Sequence, residues 1–234
     1  MIERASGAVI GYFRRNPVTG GYLVFLLVTH LVVDHVLSPG TAHRVLLDVS
    51  TNLENLRHDP LGVLIGSALL FDGTLTHVLS LSFVSTLITL VLGVGGMLAW
   101  LERRWGAVRA YAVFAAGHVG ATLITSQVIR YALERGWYPQ SVRHTLDFGI
   151  SYGAQAVLAT VIVLMPRVVR PFWAVFVVAW PVVGADWSGP IPDFTTVGHL
   201  TAAAIGFACA LAATIAEGVQ RHRTAAQATG TLTR

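Results

Sequence analysis

Lysine is missing from this chain of 234 residues, and all 16 of its Lys+Arg positions are arginine. Charged residues are scarce at 12%, about half the share of a typical soluble domain. The only cysteine, Cys209, excludes a disulfide within the chain. Hydrophobic residues make up 54%, and the mean hydropathy is +0.63. A soluble fold could not cover so much apolar surface, so these values exclude soluble enzymes and disordered chains and favour a multi-pass membrane protein.

Six apolar runs are long enough, or nearly long enough, to cross a bilayer as helices. They cover residues 18–37, 75–101, 108–133, 149–169, 172–187 and 196–217. We therefore predict an all-α fold, a bundle of six transmembrane helices over residues 18–217. Most arginines flank these runs at 1–17, 102–107, 166–171 and 218–234, which predicts a protein of the cell membrane with both termini in the cytoplasm. We expect the cytoplasmic tail, 218–234, to be disordered because it is polar and rich in small residues.

A seventh apolar run, 61–71, has too few residues to span a membrane. It lies between the first two spans, begins after Pro60 and ends at Asp72-Gly73, which predicts a half-embedded loop. Before it, the apolar residues of segment 38–59 recur at helical spacing, so we expect a helix on the surface there.

Polar residues at membrane depth are costly and commonly mark function, and three of them carry possible chemistry here. Ser151 lies in Gly149-Ile-Ser-Tyr-Gly153 at the start of the fourth span, where it is either a helix cap or a nucleophile beside free backbone N–H groups. His199 lies next to a stripe of small residues in the sixth span, formed by Gly198, Ala202 and Gly206. If that stripe packs on the fourth span, His199 comes near Ser151 and could activate it; otherwise it is a hydrogen-bonded core histidine. His77 lies at the outer start of the second span and could donate to an oxyanion.

The order of these features resembles the rhomboid family of intramembrane serine proteases. That family has a six-helix core, with H-x-x-x-N at the start of span two and an L-E-R-x-x-G-like boundary at its end. Its fourth span begins with G-x-S-G, and its sixth carries A-H-x-x-G-x-x-x-G. The corresponding segments here are Thr76-His77, GVGGMLAWLERRWG at 93–106, GISYG at 149–153 and GHLTAAAIG at 198–206. The resemblance extends over about residues 60–217.

The resemblance implies that Ser151 is the nucleophile and His199 the general base of a Ser–His dyad. His77 and the backbone N–H of Ser151 would hold the oxyanion, and Glu102 falls on the boundary glutamate. The residues implied to pack the helices are Gly149, Gly153, Gly198, Ala202 and Gly206. The implied function is that of a serine endopeptidase that cleaves transmembrane segments of other membrane proteins near the outer face, within the lipid bilayer and without a metal or other cofactor.

Several residues depart from the family pattern and leave other functions open. Tyr152 separates Ser151 from Gly153, and Leu81 stands where the family has asparagine. These changes favour an alternative, a catalytically inactive rhomboid-like protein that binds transmembrane helices. A third hypothesis is a metal or transport site at His30, Asp34 and His35, since His30 and Asp34 lie one helical turn apart. The arginine clusters flank spans and lack interleaved aromatic residues, so we expect no nucleic-acid partner.

Overall fold

The computed structural model describes residues 2–187 and 189–231, and within these ranges it contains helices and no strand. The sequence-based prediction of an all-α membrane bundle is confirmed. The helices are α1 (Ile2–Arg15), α2 (Pro17–His35), α3 (Pro39–Val49), α4 (Leu53–His58), α5 (Pro60–Gly66), α6 (Leu81–Trp105), α7 (Ala107–Glu134), α8 (Ile150–Leu164), α9 (Arg170–Val183) and α10 (Phe194–Thr231). A short 3₁₀ helix, Gln140–His144, lies in the connection between α7 and α8.

Six of these helices correspond to the six predicted spans. Four, α2, α6, α7 and the first 28 residues of α10, are long and apolar enough to cross a membrane, whereas α8 and α9 are shorter apolar helices. Large apolar side chains stay exposed along α2, including Phe25, Val28 and Leu31. In a membrane such a surface faces lipid.

The central helix is α8, which packs against α6, α7, α9 and α10. Nine consecutive residues, from Tyr152 to Thr160, are buried. Glycines allow the neighbouring helices to approach: a Cβ on Gly206 of α10 would collide with the Ala156 carbonyl, and one on Gly93 of α6 would lie 2.7 Å from the Ala154 Cβ. The small residues of α10 therefore pack on the fourth span, which brings the start of α10 beside the start of α8.

One buried carboxylate joins the start of α2 to the end of α6. Glu102 of α6 accepts the N–H groups of Val18 at 3.1 Å and Thr19 at 2.9 Å. These N–H groups belong to the first turn of α2 and have no partner within their helix, and the helix dipole favours a negative charge there. Arg103 donates to Asn16 Oδ1 at 2.8 Å. The boundary segment thus fixes the first span against the second.

The second span begins at Leu81, not at residue 75 as the sequence analysis predicted. Thr74 Oγ1 accepts the N–H groups of Thr76 and His77, both at 3.2 Å, and these local bonds replace helical ones. Ser80 then caps α6 by accepting the N–H of Phe83 at 3.1 Å. As a result, His77 lies in the loop before the helix and not on it.

The predicted surface helix in segment 38–59 is two helices, α3 and α4, which are broken at Ser50–Asn52. At the break, Ser50 Oγ accepts the N–H of Asp147 at 2.9 Å, and the Thr51 N–H and hydroxyl both bond to the Asp147 carbonyl. The backbone leaves the helix there because these long-range bonds replace helical ones. The short helix α5 follows, with seven residues.

The last helix runs to Thr231 and so includes residues 218–231 of the predicted cytoplasmic tail, whose expected disorder stays a prediction. Residues 232–234 lie outside the described ranges.

Candidate functional site

A cavity of about 240 Å³ opens at the end of the bundle opposite Glu102. Both Ser151 and His199 line it, although 48 positions separate them in the sequence. Its walls come from the loop after α5, the first half of α6, the segment before α8 and the start of α10. Hydroxyl groups dominate the α6 wall, where the lining residues are Ser82, Ser85, Thr86 and Thr89.

Ser151 lies in the first turn of α8, whose N-cap residue is Gly149. Its hydroxyl does not cap the helix; it makes a long bond of 3.4 Å to the Phe148 carbonyl. The N–H groups of this first turn have no acceptor within the helix. A weakly held hydroxyl therefore stands beside backbone donors, which is the arrangement that stabilises negative charge on a reacting oxygen.

His199 is held through one ring nitrogen and free at the other. Its Nδ1 lies 2.7 Å from the Thr195 carbonyl, and its Nε2 is buried with no hydrogen-bond partner. Because a carbonyl only accepts, the proton sits on Nδ1 and the lone pair of the neutral ring is on Nε2. The ring of Tyr152 packs edge-on at 5.1 Å on one side and that of Trp180 at 5.2 Å. The structure thus presents Nε2 as a base, although it forms no bond to Ser151 Oγ.

Tyr152, the residue inserted beside the serine, is completely buried, and its hydroxyl lies beside the Asp147 carboxyl. Its ring occupies the space where a Cβ on Gly198 would lie. The motif of the sixth span has alanine at that position in the rhomboid family, whereas this chain has glycine. Gly198 therefore provides the room that Tyr152 needs, and the two departures are complementary. The contact between Tyr152 and Gly198 cannot be seen when the motifs of the fourth and sixth spans are considered separately.

Trp180 is itself positioned by a buried amide. Gln155 of α8 accepts the indole N–H of Trp180 at 2.8 Å and donates to the Val177 carbonyl at 2.6 Å. These bonds fix α9 against the central helix, and they hold the indole ring against His199. The sequence analysis missed both residues because a lone glutamine in an apolar run gives no spacing signal.

Asp147 lines the same cavity and is also absent from the sequence-based site. Its Oδ2 accepts the Thr51 hydroxyl at 3.2 Å, and it is only 8% exposed. Burial raises the pKa of this carboxyl to about 6, and the neighbouring hydroxyls of Tyr152 and Thr51 offset only part of that effect. No ion pair reaches Asp147 in the part of the chain that the structure describes.

The predicted oxyanion residue, His77, lies on the exposed loop and does not line the cavity. The hydroxyl groups of α6 line the cavity wall on which the imidazole of His77 was expected.

Gly149 packs against the ring of His118, leaving no room for a Cβ, and His118 Nε2 lies 2.7 Å from the Leu64 carbonyl. Gly153 packs against Phe114, where a Cβ would lie 2.7 Å from ring carbons.

The hypothesis of a metal site gains no support. His30 Nε2 lies 3.4 Å from Asp34 Oδ2, and the His30 ring stacks on Phe71 at 4.4 Å. Among residues 2–187 and 189–231, no three side chains of His, Cys, Asp or Glu converge as metal ligands.

A second opening leads from the side of the bundle to the same histidine. This cavity of about 360 Å³ lies between α6 and α9, where its lining includes Leu81, Val84, Trp180 and Val183. It shares Ser82, Ser85, Thr195 and His199 with the first cavity. A polar pocket at one end of the bundle and a more apolar opening at its side therefore share part of their walls, including His199.

The long apolar helices of the bundle define a multi-pass membrane protein. The family model described as rhomboid-like protein matches residues 11–218, and the chain therefore belongs to that family. No curated protein and no solved structure matches it.

Proposed function

We propose that this protein is an intramembrane serine endopeptidase that cleaves transmembrane segments of other membrane proteins. The observation that carries the proposal is the shared cavity of Ser151 and His199, in which Nδ1 of the histidine is held by the Thr195 carbonyl and Nε2 is free. The carbonyl fixes the tautomer, as the carboxylate does in a three-residue triad.

In the proposed reaction, Ser151 turns from the Phe148 carbonyl and donates its proton to His199 Nε2. Its Oγ attacks the scissile carbonyl, and the imidazolium then gives the proton to the leaving amine. Water repeats the sequence to release the acyl group. The N–H of Ser151 and a hydroxyl of the α6 wall hold the oxyanion, in place of His77.

The lateral cavity supports entry of the substrate from the bilayer. It is lined by residues of α6, α9 and the start of α10, most of its exposed lining is apolar, and His199 is among the lining residues. A substrate helix that unwinds at this opening would present its backbone to Ser151. The distribution of arginines supports a cell-membrane protein with both termini in the cytoplasm, which puts the cavity at the outer face. We propose transmembrane proteins and lipid as its partners, and no nucleic acid.

The proposal is tested by labelling the detergent-purified protein with a fluorophosphonate. We expect covalent labelling of the wild type, none in Ser151→Ala, and labelling slower by about 10²-fold or more in His199→Ala. The exposed Ser141→Ala and His144→Ala are matched controls and should label like the wild type. Undiminished labelling of Ser151→Ala would contradict the proposal.

A second candidate function is the inactive protein that binds transmembrane helices. It is favoured by the position of His77 outside the cavity and by the missing bond between Ser151 and His199. The lateral opening serves a bound helix with or without chemistry. Failure of a folded wild-type protein to label would favour this function over the protease.

A further inference from the structure

A groove of about 670 Å³ opens at the end of the bundle that holds Glu102, the end opposite the cavity of Ser151. Its walls come from the end of α6, the start of α7, the end of α8 and residues 213–220 of α10. None of its lining residues lines the cavity of Ser151 or the lateral opening. The volume lies within the range of about 300–1,000 Å³ that is usual for sites of small organic molecules.

Two arginine side chains line this groove without an acidic partner. Arg104 lies in the last turn of α6 and Arg109 in the first turn of α7, on either side of Gly106. In the part of the chain that the structure describes, neither guanidinium takes part in an ion pair or a hydrogen bond. Glu217 also lines the groove, but it lies 3.8 Å from Arg221, a cation outside the lining. The groove therefore carries an excess of positive charge.

The start of α7 is an independent feature that points to an anion at the same place. The helix begins after Gly106, which has no side chain to cap it, and its first turn contains no acidic residue. Its first N–H groups have no acceptor within the helix and form the positive end of the helix dipole. A cation is unfavourable at such an end, yet Arg109 is the third residue of the helix. An anion in the groove would stabilise both the N–H groups and the guanidinium.

The groove combines this charge with the surroundings that a lipid needs. Trp105 is half-buried in its lining, and among the described residues its indole N–H has no hydrogen-bond partner. Tryptophan is enriched at the level of the lipid headgroups, where its ring is apolar and its N–H can donate. Towards the membrane the lining becomes apolar, with Val113 one turn deeper in α7 than Arg109 and Ala213 one turn deeper in α10 than Glu217.

We propose that this groove binds the phosphate headgroup of an anionic phospholipid of the adjoining leaflet. Arg104 and Arg109 donate to the phosphate oxygens, since a guanidinium can bind a phosphate through two parallel N–H bonds. The acyl chains lie along the apolar wall. The proposed topology makes this the cytoplasmic leaflet, and basic pockets between transmembrane helices on that side bind such headgroups. Because the groove lies apart from the proposed active site, lipid binding there does not require protease activity.

The test measures lipid binding to the full-length protein in detergent by native mass spectrometry, with phosphatidylglycerol and phosphatidylcholine of equal acyl chains. We expect the wild type to bind phosphatidylglycerol about tenfold or more tightly, as hydrogen bonds between charged groups require. In the double variant Arg104→Gln with Arg109→Gln this preference should fall towards one. The matched control, Arg14→Gln with Arg167→Gln, removes two exposed arginines outside the groove and should keep the preference.

A second pair of variants leaves both arginines in place. Ala216 is exposed and lines the groove, whereas Ala212 is exposed one turn earlier in α10 and does not line it. Ala216→Trp should fill the groove and remove the preference for phosphatidylglycerol, and Ala212→Trp should keep it. If the arginine variant does not fold, this pair decides the question.

Equal binding of the two lipids by the wild type would overturn the proposal. An equal loss of preference in the groove variant and in its charge-matched control would also overturn it, because net charge and not the groove would then attract the lipid. Inorganic phosphate distinguishes a lipid site from a site for a free anion. Displacement of phosphatidylglycerol by an equimolar amount of inorganic phosphate would overturn the assignment to a lipid.

Discussion

Replacing Asp147 by asparagine should change how the stability of this protein depends on pH. Burial raises the pKa of Asp147 from 3.8 to about 6 in the folded protein. A raised carboxyl pKa means that folding favours the neutral form. Its stabilising contribution is therefore complete below pH 3.8 and is lost as the pH rises through 6. A difference of roughly two units corresponds to about 3 kcal/mol of unfolding free energy.

Asparagine has nearly the same shape and keeps an oxygen that can accept the Thr51 hydroxyl, but it does not ionise. Relative to the wild type, Asp147→Asn should thus gain up to about 3 kcal/mol between pH 4 and pH 7. The measurement is the free energy of unfolding in mixed detergent micelles at several pH values in this range. Asp48→Asn, an exposed carboxylate, should retain the pH dependence of the wild type.

Equal pH dependence in the wild type and Asp147→Asn would refute this reasoning, because it would show that the Asp147 carboxyl titrates normally in the folded protein.

Two further predictions concern packing and the helix boundary. Glu102→Ala should lower the unfolding free energy by about 3 kcal/mol because two N–H groups of α2 lose a charged acceptor. Glu102→Gln should lower it less because one acceptor oxygen remains. Unfolding in mixed micelles measures both losses, and equal losses would contradict the role of Glu102 as acceptor for α2. Gly198→Ala should cost about 1–3 kcal/mol by overpacking against Tyr152, and combining it with Tyr152→Gly should remove that cost. A double-mutant cycle measures the coupling, and additive effects would contradict the contact.

The sequence alone was sufficient for the class of fold. Apolar runs of bilayer length indicate membrane helices because lipid offers no partner for unpaired backbone groups, whatever the tertiary structure. The stripe of Gly198, Ala202 and Gly206 likewise indicated a close helix contact, since only small residues permit it. The match of the rhomboid-like family over residues 11–218 agrees with this reading of local patterns.

Hydrogen bonds in the turn before the second span explain why its start was predicted too early. The apolar residues before Leu81 suggested that the helix begins earlier and carries His77. Thr74 and Ser80 instead bind nearby backbone N–H groups, which ends the pattern that hydropathy alone would extend. The imidazole is therefore displaced from the cavity, and serine and threonine residues of α6 stand on that wall.

The amino-acid sequence by itself determined which segments enter the membrane and which small-residue faces can pack, because both depend on composition and spacing along one helix. Only the tertiary structure decided the surroundings of the serine. Asp147 meets Thr51 across 96 positions, and Tyr152 fills the space left by Gly198. Such contacts join residues on different helices, and their geometry follows from how the helices pack around α8, which no local period in the sequence encodes.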